Sequence, residues 1–142
     1  QALVSLANVA DYEIILIDPR DHFATKSRFP NCKIINEWPD EALSKFNLDK
    51  SSHLVTLTHD PKIDDLALIF CMKKNIGYIG SLGSKKTHNK RCERLIEKGF
   101  NEIELSKIHA PIGLDIKAKT PAEIATSILA EIINYRRKNH DK

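Results

Sequence analysis

Four short segments of this sequence carry residue types suited to holding a polar or anionic ligand. The most distinctive is Gly80-Ser81-Leu82-Gly83-Ser84-Lys85-Lys86, which follows an apolar stretch and runs into a basic one. Glycines let the main chain approach a ligand closely, and the free N–H groups at a helix start favour negative charge. Lys90 and Arg91 add positive charge nearby. The segment is not a Walker A loop, which needs four residues between its glycines and Lys-Ser/Thr directly after the second. The alternative is a plain strand-to-helix turn followed by a solvated basic face.

Asp18-Pro19-Arg20 is the second segment. An acid at a strand end can bond the ribose hydroxyls of a dinucleotide, and an arginine beside it can hold a phosphate. Against this stands a turn fixed by Asp-Pro with a solvated arginine. The third is His59-Asp60 with Asp64 and Asp65. Imidazole and carboxylates bind divalent metals, and His59 can act as an acid or base. Asp60 is accounted for as a helix cap, however, and Asp64 and Asp65 suit a first helical turn electrostatically, so no metal site is assigned. His59 and Asp60 remain ligand contacts. The fourth segment, His109 to Asp115, is irregular and mostly apolar, and packs over either a core edge or a ligand. No serine-histidine-acid or cysteine-histidine order stands out, so no catalytic residue is assigned.

The elements that must position these segments alternate in type. Ala2, Leu3, Leu6, Ala7 and Ala10 follow the spacing of a helix face. Ile14-Ile15-Leu16-Ile17 is a short apolar run that suits a central parallel strand covered on both faces. Lys33-Ile34-Ile35 is a shorter strand, Asp40 to Phe46 a short helix after Pro39, and His53 to Thr58 another buried strand. Pro61 to Lys74 is the clearest helix, with Ile63, Leu66, Ala67, Phe70 and Cys71 on one face and Asp60-Pro61 as cap and first turn. Ile76 to Ile79 is the next strand, and a basic helix then runs to Lys98, where Gly99 stops it. Thr120-Pro121-Ala122-Glu123 is a capping box opening the last helix, with Ile124, Ile128, Ile132 and Tyr135 on its buried face.

This order predicts an α/β fold, a Rossmann-like doubly wound parallel sheet, because right-handed crossovers place helices on both faces. Such a sheet begins with a strand and a glycine-rich turn, whereas these residues begin with a helix and contain no G-x-G-x-x-G. The first strand and its turn are therefore expected upstream of Gln1. In an open parallel sheet, ligands bind outside the carboxyl ends of the strands, which is where the first three segments fall.

Composition bounds the rest. The 142 residues are expected to form one domain, 1–142, large enough to bury roughly 68–70% of the unfolded surface. Hydrophobic residues at 42% and charged ones at 29% argue against disorder. A formal charge of +3, without a strip of interleaved basic and aromatic residues, gives no case for nucleic acid. No apolar run reaches the roughly 18 residues of a membrane helix, so no membrane association is expected. Cys32, Cys71 and Cys92 form no disulfide or zinc pattern and read as reduced thiols in a cytoplasmic protein.

Ile17-Asp18-Pro19-Arg20 with Arg28-Phe29-Pro30, Thr58-His59-Asp60-Pro61-Lys62, Tyr78-Ile79-Gly80-Ser81-Leu82-Gly83-Ser84, His109 to Asp115 and Thr120-Pro121 to Glu131 occur in that order. Together they resemble the carboxyl-terminal Rossmann domain of the XdhC/CoxI family, the accessory proteins of xanthine dehydrogenase and related molybdenum hydroxylases. The resemblance runs from Gln1 to about Arg137. It implies a maturation factor without turnover of its own, which binds the molybdenum cofactor (molybdopterin) as cargo, helps its sulfuration and delivers it to the apoenzyme. It further implies a homodimer that partners a xanthine dehydrogenase-type molybdoenzyme and a cysteine desulfurase. Two family features lie outside these residues: a glycine-histidine turn before the first helix, and an amino-terminal domain that often carries a conspicuous cysteine. A phosphate and a polar pterin agree with the anion-friendly strand ends. The competing readings are an NAD(P)-dependent oxidoreductase, which needs a glycine-rich fingerprint upstream, and a purely structural dimerisation module, which binds no small molecule.

Overall fold

The structure, a computed structural model, describes residues 1–140. The chain runs through α1 (Ala2–Val9), β1 (Ile15–Ile17), β2 (Lys33–Ile35), α2 (Pro39–Leu43), β3 (His53–Thr56) and α3 (Pro61–Met72). It continues through β4 (Tyr78–Ser81), α4 (Lys85–Glu97), α5 (Glu102–Leu105), β5 (Ile108–His109) and α6 (Pro121–His140). All strand pairings are parallel, in two sheets of order β1-β2 and β3-β4-β5.

Successive residues of a strand face opposite sides of its sheet, so each strand feeds two cores. On one side Ile79 and Ile108 join Leu68 and Cys71 of α3, Leu95 of α4 and Leu43 of α2, with Ile17 and Leu54 packed against them. On the other side Tyr78 joins Ile112 and α6 residues Ile128 and Ile132, with Leu3, Tyr12 and Val55 against them. This is the helix–sheet–helix layering of a Rossmann-type α/β fold.

β4, paired on both sides, is buried at all four positions, whereas β1 and β3 have one partner each among the described residues and leave Ile15, Leu16, Ile17, Leu54 and Val55 only half-buried. Ile17 and Leu54 nevertheless lie against one core.

Local chemistry sets the helix ends. Asp60 accepts from the Lys62 N–H at 3.0 Å, and Pro61 fills the first helical position of α3. Ser84 accepts from the Thr87 N–H at 3.2 Å to start α4. That helix stops where Gly99 takes a φ of +98° and the Phe100 N–H turns back to the Leu95 carbonyl at 3.2 Å. At α6, Thr120 accepts from the Glu123 N–H at 3.1 Å while Glu123 accepts from the Thr120 N–H at 2.9 Å, the reciprocal box expected from the sequence.

Several boundaries differ from the sequence expectation. β3 stops at Thr56, two residues early, because the Thr58 hydroxyl takes the Asp60 N–H and His59 turns into a left-handed φ of 64°. β4 begins at Tyr78 and extends to Ser81, so Gly80 and Ser81 are strand rather than turn. α2 ends at Leu43, with Ser44–Phe46 closing as a turn. α5 and β5 replace part of an expected loop. At four and two residues they are too short to show a period, although Asn101 and Glu104 form a capping box that the sequence displays. α1 fully buries none of its residues. Among the described residues no helix is long and apolar enough to cross a membrane.

Candidate functional site

Because β3 and β4 run parallel, the turns after them emerge at one edge, and Arg20 in the turn after β1 lies within electrostatic reach of the first. Their charges sense one another. The Arg20 guanidinium is raised above its ordinary value first by its bond to Asp18, with burial opposing, and then by Asp60 and Asp64 at the end of β3. The Arg91 guanidinium behind the β4–α4 turn is lowered by burial, against the pull of Asp64 and Asp65. Asp64 therefore lies within electrostatic reach of both flanks.

At the end of β1, Asp18 is buried and accepts from Arg20 three times: from the N–H at 2.9 Å, Nε at 3.0 Å and Nη2 at 2.9 Å. Arg20 lies over the Phe23 ring, 4.4 Å from its centroid. Asn36 donates to the Asp18 and Ala24 carbonyls at 3.1 and 3.2 Å and so pins the loop. The two sequence-predicted residues are brought together as a bidentate pair. The Asp18 carboxylate is engaged within the protein, and Arg20 Nη1 takes no acceptor among the described residues.

At the end of β3, a buried hydroxyl pair crosses the sheet, Thr56 Oγ1 to Ser81 Oγ at 2.6 Å. Thr58 Oγ1 donates to Asp64 Oδ1 at 2.6 Å, and the Thr58 N–H lies 3.4 Å from the same oxygen. Asp64 is 5% exposed, and burial pushes its carboxyl above the usual range, opposed by Thr58 and Arg91. Asp65 is bound to Arg94 Nε at 2.7 Å and Nη2 at 3.2 Å, tying α3 to α4. Each acid of this segment thus has a structural partner. Among the described residues no group of three or more His, Cys, Asp or Glu is placed to hold a metal. His59 is exposed, at the strained crest of the turn.

At the end of β4, Gly80 and Gly83 play different parts. A Cβ on Gly80 would fall 2.5 Å from Ile112 Cδ1 and 2.6 Å from the Tyr78 hydroxyl, so the missing side chain admits Ile112 onto the sheet. Gly83 has a φ of +130°, open to glycine, and a Cβ there would fall 2.9 Å from Thr87 Cγ2. Ser81 is buried in the hydroxyl pair, Ser84 is the cap, and Lys85 and Lys86 are exposed. The His109–Asp115 segment packs over the core: Ile112 is buried and its N–H donates to the Ser81 carbonyl at 3.1 Å.

Thr56 and Thr58 were not among the expected site residues, and Arg91 was expected only as positive charge near the turn. Two threonines alternating at a strand end, and an arginine seven residues after the Ser84 cap and hence two turns along the same helix face, were the available signals.

A parallel α/β sheet layered between helices, with polar and basic groups beyond the strand ends, defines a Rossmann-class α/β domain. The family model of the XdhC Rossmann domain matches residues 1–132, and the chain belongs to that family. It is 34% identical over 139 residues to a probable xanthine dehydrogenase subunit of Bacillus subtilis, covering 95% of this chain and 40% of that protein. It is 32% identical over 95 residues to the molybdenum cofactor insertion chaperone PaoD of Escherichia coli, covering 67% of this chain and 30% of that one. A crystal structure described as a xanthine dehydrogenase from Bacillus halodurans superposes with a TM-score of 0.81 at 32% identity, over 96% of this chain and 39% of the other. The chain spans about two fifths or less of the length of these relatives.

Proposed function

We propose that this chain is the cargo-holding domain of a maturation factor that binds the molybdenum cofactor and inserts it into a xanthine dehydrogenase-type molybdoenzyme. The observation that carries the reading is the convergence of the turns after β1, β3 and β4, linked electrostatically through Asp64, in a chain related to an insertion chaperone. The cofactor offers a phosphate and a polar pterin. The edge answers with donors at Arg20, Ser84, Lys85 and Lys86 and polar groups at Asp18, His59 and Asp60, shaped by Gly80, Ser81 and Gly83. The same reading takes the full-length protein to be a homodimer that also meets a cysteine desulfurase, in the cytoplasm.

The test is cofactor retention by the full-length protein, followed by activation of its target apoenzyme. Arg20→Ala and Lys86→Ala should each lower both while leaving the fold intact. If both variants retain cofactor and mature the target like the wild type, the site is misplaced. Parallel titration with NAD and NADP decides the competing reading: tight dinucleotide binding without pterin uptake would replace the maturation factor by an oxidoreductase.

A further inference from the structure

Arg91 is an unusual residue for the middle of a basic surface helix, because it is only 4% exposed. Helical side chains lean toward the amino terminus, and this one runs back beneath the turn that precedes α4. Its Nη2 donates to the Leu82 carbonyl at 2.9 Å, and Nη1 lies 3.1 Å from His88 Nδ1. A guanidinium only donates, so Nδ1 must accept; the imidazole is neutral and carries its proton on Nε2, which faces Cys92 Sγ at 3.4 Å. The third nitrogen position, Nε, is buried without a partner.

Neither partner of this buried cation is negative. The nearby charges are Asp64 and Asp65 on α3 and Arg94 on its own helix, and none forms an ion pair with it; Asp65 is already paired with Arg94. A desolvated charge compensated only at a distance is costly. It is kept directly under Gly83, where a built Cβ would lie 3.6 Å from Arg91 Nη2. Above it, Ser84 satisfies the Thr87 N–H and its carbonyl the His88 N–H, while the N–H groups of Lys85 and Lys86 take no acceptor among the described residues. The Leu82 carbonyl is held inward, toward Arg91 and away from the start of α4.

We propose that the β4–α4 turn binds a tetrahedral oxyanion, in chemical class a phosphate group, with the Lys85 and Lys86 N–H groups as donors and Arg91 as the buried counter-charge. Arg91 is a positioning residue: it fixes the turn through Leu82 and supplies positive potential from below. As the place for the phosphate of a molybdenum cofactor, the inference rests on the function proposed above; as an oxyanion site it stands on the turn alone.

The probe is inorganic phosphate, titrated into the full-length protein at low ionic strength and followed by amide and arginine Nε–H resonances. Saturable shifts are expected at Gly83, Ser84, Lys85, Lys86 and Arg91, beyond those caused by chloride. Affinity should rise with pH as phosphate becomes a dianion. Arg91→Gln, whose amide ends about where Arg91 Nε stands and so falls short of Leu82, should weaken binding by about tenfold and flatten that pH profile, whereas Arg91→Lys, which keeps the charge, should retain most of both. Shifts that match chloride, or that saturate away from the turn, would overturn the site. Unchanged affinity and an unchanged pH profile in Arg91→Gln would overturn the role of Arg91. Should that variant fail to fold, the wild-type shift at Arg91 Nε decides alone. Phosphate binding at the turn without cofactor retention would keep this site and sink the cargo reading; the converse would do the opposite.

Discussion

The Tyr78 hydroxyl on β4 donates to the Glu131 carboxylate on α6, across 53 residues of sequence. The same Glu131 oxygen accepts the Gly113 N–H at 3.1 Å, so one carboxylate ties together the sheet, the segment after β5 and the last helix. His109 stacks on the Tyr78 ring at 4.7 Å, with its Nδ1 3.8 Å from that oxygen. Burial first, and then Glu131, push the Tyr78 phenol far above its ordinary value, so it remains a donor at every physiological pH.

Removing this carboxylate strands a buried phenol and a backbone N–H. Glu131→Ala is expected to destabilise the protein by about 2–3 kcal/mol in denaturant unfolding, and Glu131→Gln, which keeps an accepting oxygen, by about 1 kcal/mol. Equal losses in the two variants would show that Glu131 acts through packing rather than through acceptance.

Gly80 lies on the same face. With Ile112 and the Tyr78 hydroxyl already where its Cβ would go, Gly80→Ala must move one of them. A cost of about 1–3 kcal/mol is expected, the usual range for overpacking. The paired variant Gly80→Ala with Ile112→Val should recover part of it, as a thermal melt of the two proteins would show.

The fold was legible in the sequence to the extent that its long elements carry strong local signals. The Asp60-Pro61 start of α3 and the Thr120–Glu123 box of α6 are local hydrogen-bond chemistry, and both form as read. β5 was not legible, because two residues paired with Ile79 and Gly80 have no periodicity of their own and exist only through their neighbour. At the site, the glycines and lysines of the β4–α4 turn announced themselves by type. Arg91 was legible only as positive charge near the turn; its burial beneath the Leu82 carbonyl depends on the fold. Asp64 was explained too soon by helix electrostatics, and its burial against Thr58 depends on how α3 docks on β3.

Cysteine reactivity follows burial. The Cys71 thiol is pushed up to about 12 by desolvation, so at pH 8 its thiolate fraction is on the order of one part in ten thousand. Cys32 is also buried and raised, whereas Cys92 is half-buried, raised by desolvation and partly relieved by Arg91. Disulfide-exchange labelling of the native protein at pH 8 should modify Cys92 first and Cys71 only on unfolding. Early labelling of Cys71 would mean that the α3 face opens readily.

Acid should loosen the β4–α4 turn through His88. Burial first, then Arg91, hold its imidazole below the ordinary value of 6.5. Its contribution is therefore fully present above that value and is lost as pH falls through the depressed folded one, because the unfolded state takes up the proton first. Melting temperature should fall between pH 7 and pH 5, and His88→Gln, which can still accept from Arg91, should fall less. A variant with the same acid slope as the wild type would assign the slope to other groups.

His59 tests whether strain and binding coincide. Its φ of 64° is left-handed, a region that costs a side-chain-bearing residue energy and glycine little, and the residue is exposed. His59→Gly should hold the same turn and gain about 0.5–1 kcal/mol, seen as a melting temperature a few degrees higher. If the imidazole touches the cargo, the same variant should retain less molybdenum cofactor despite its greater stability. A gain in stability with retention unchanged would leave His59 as a turn residue only. A loss of stability would show that its ring supports the loop, and that the left-handed backbone is held by contacts made by the side chain.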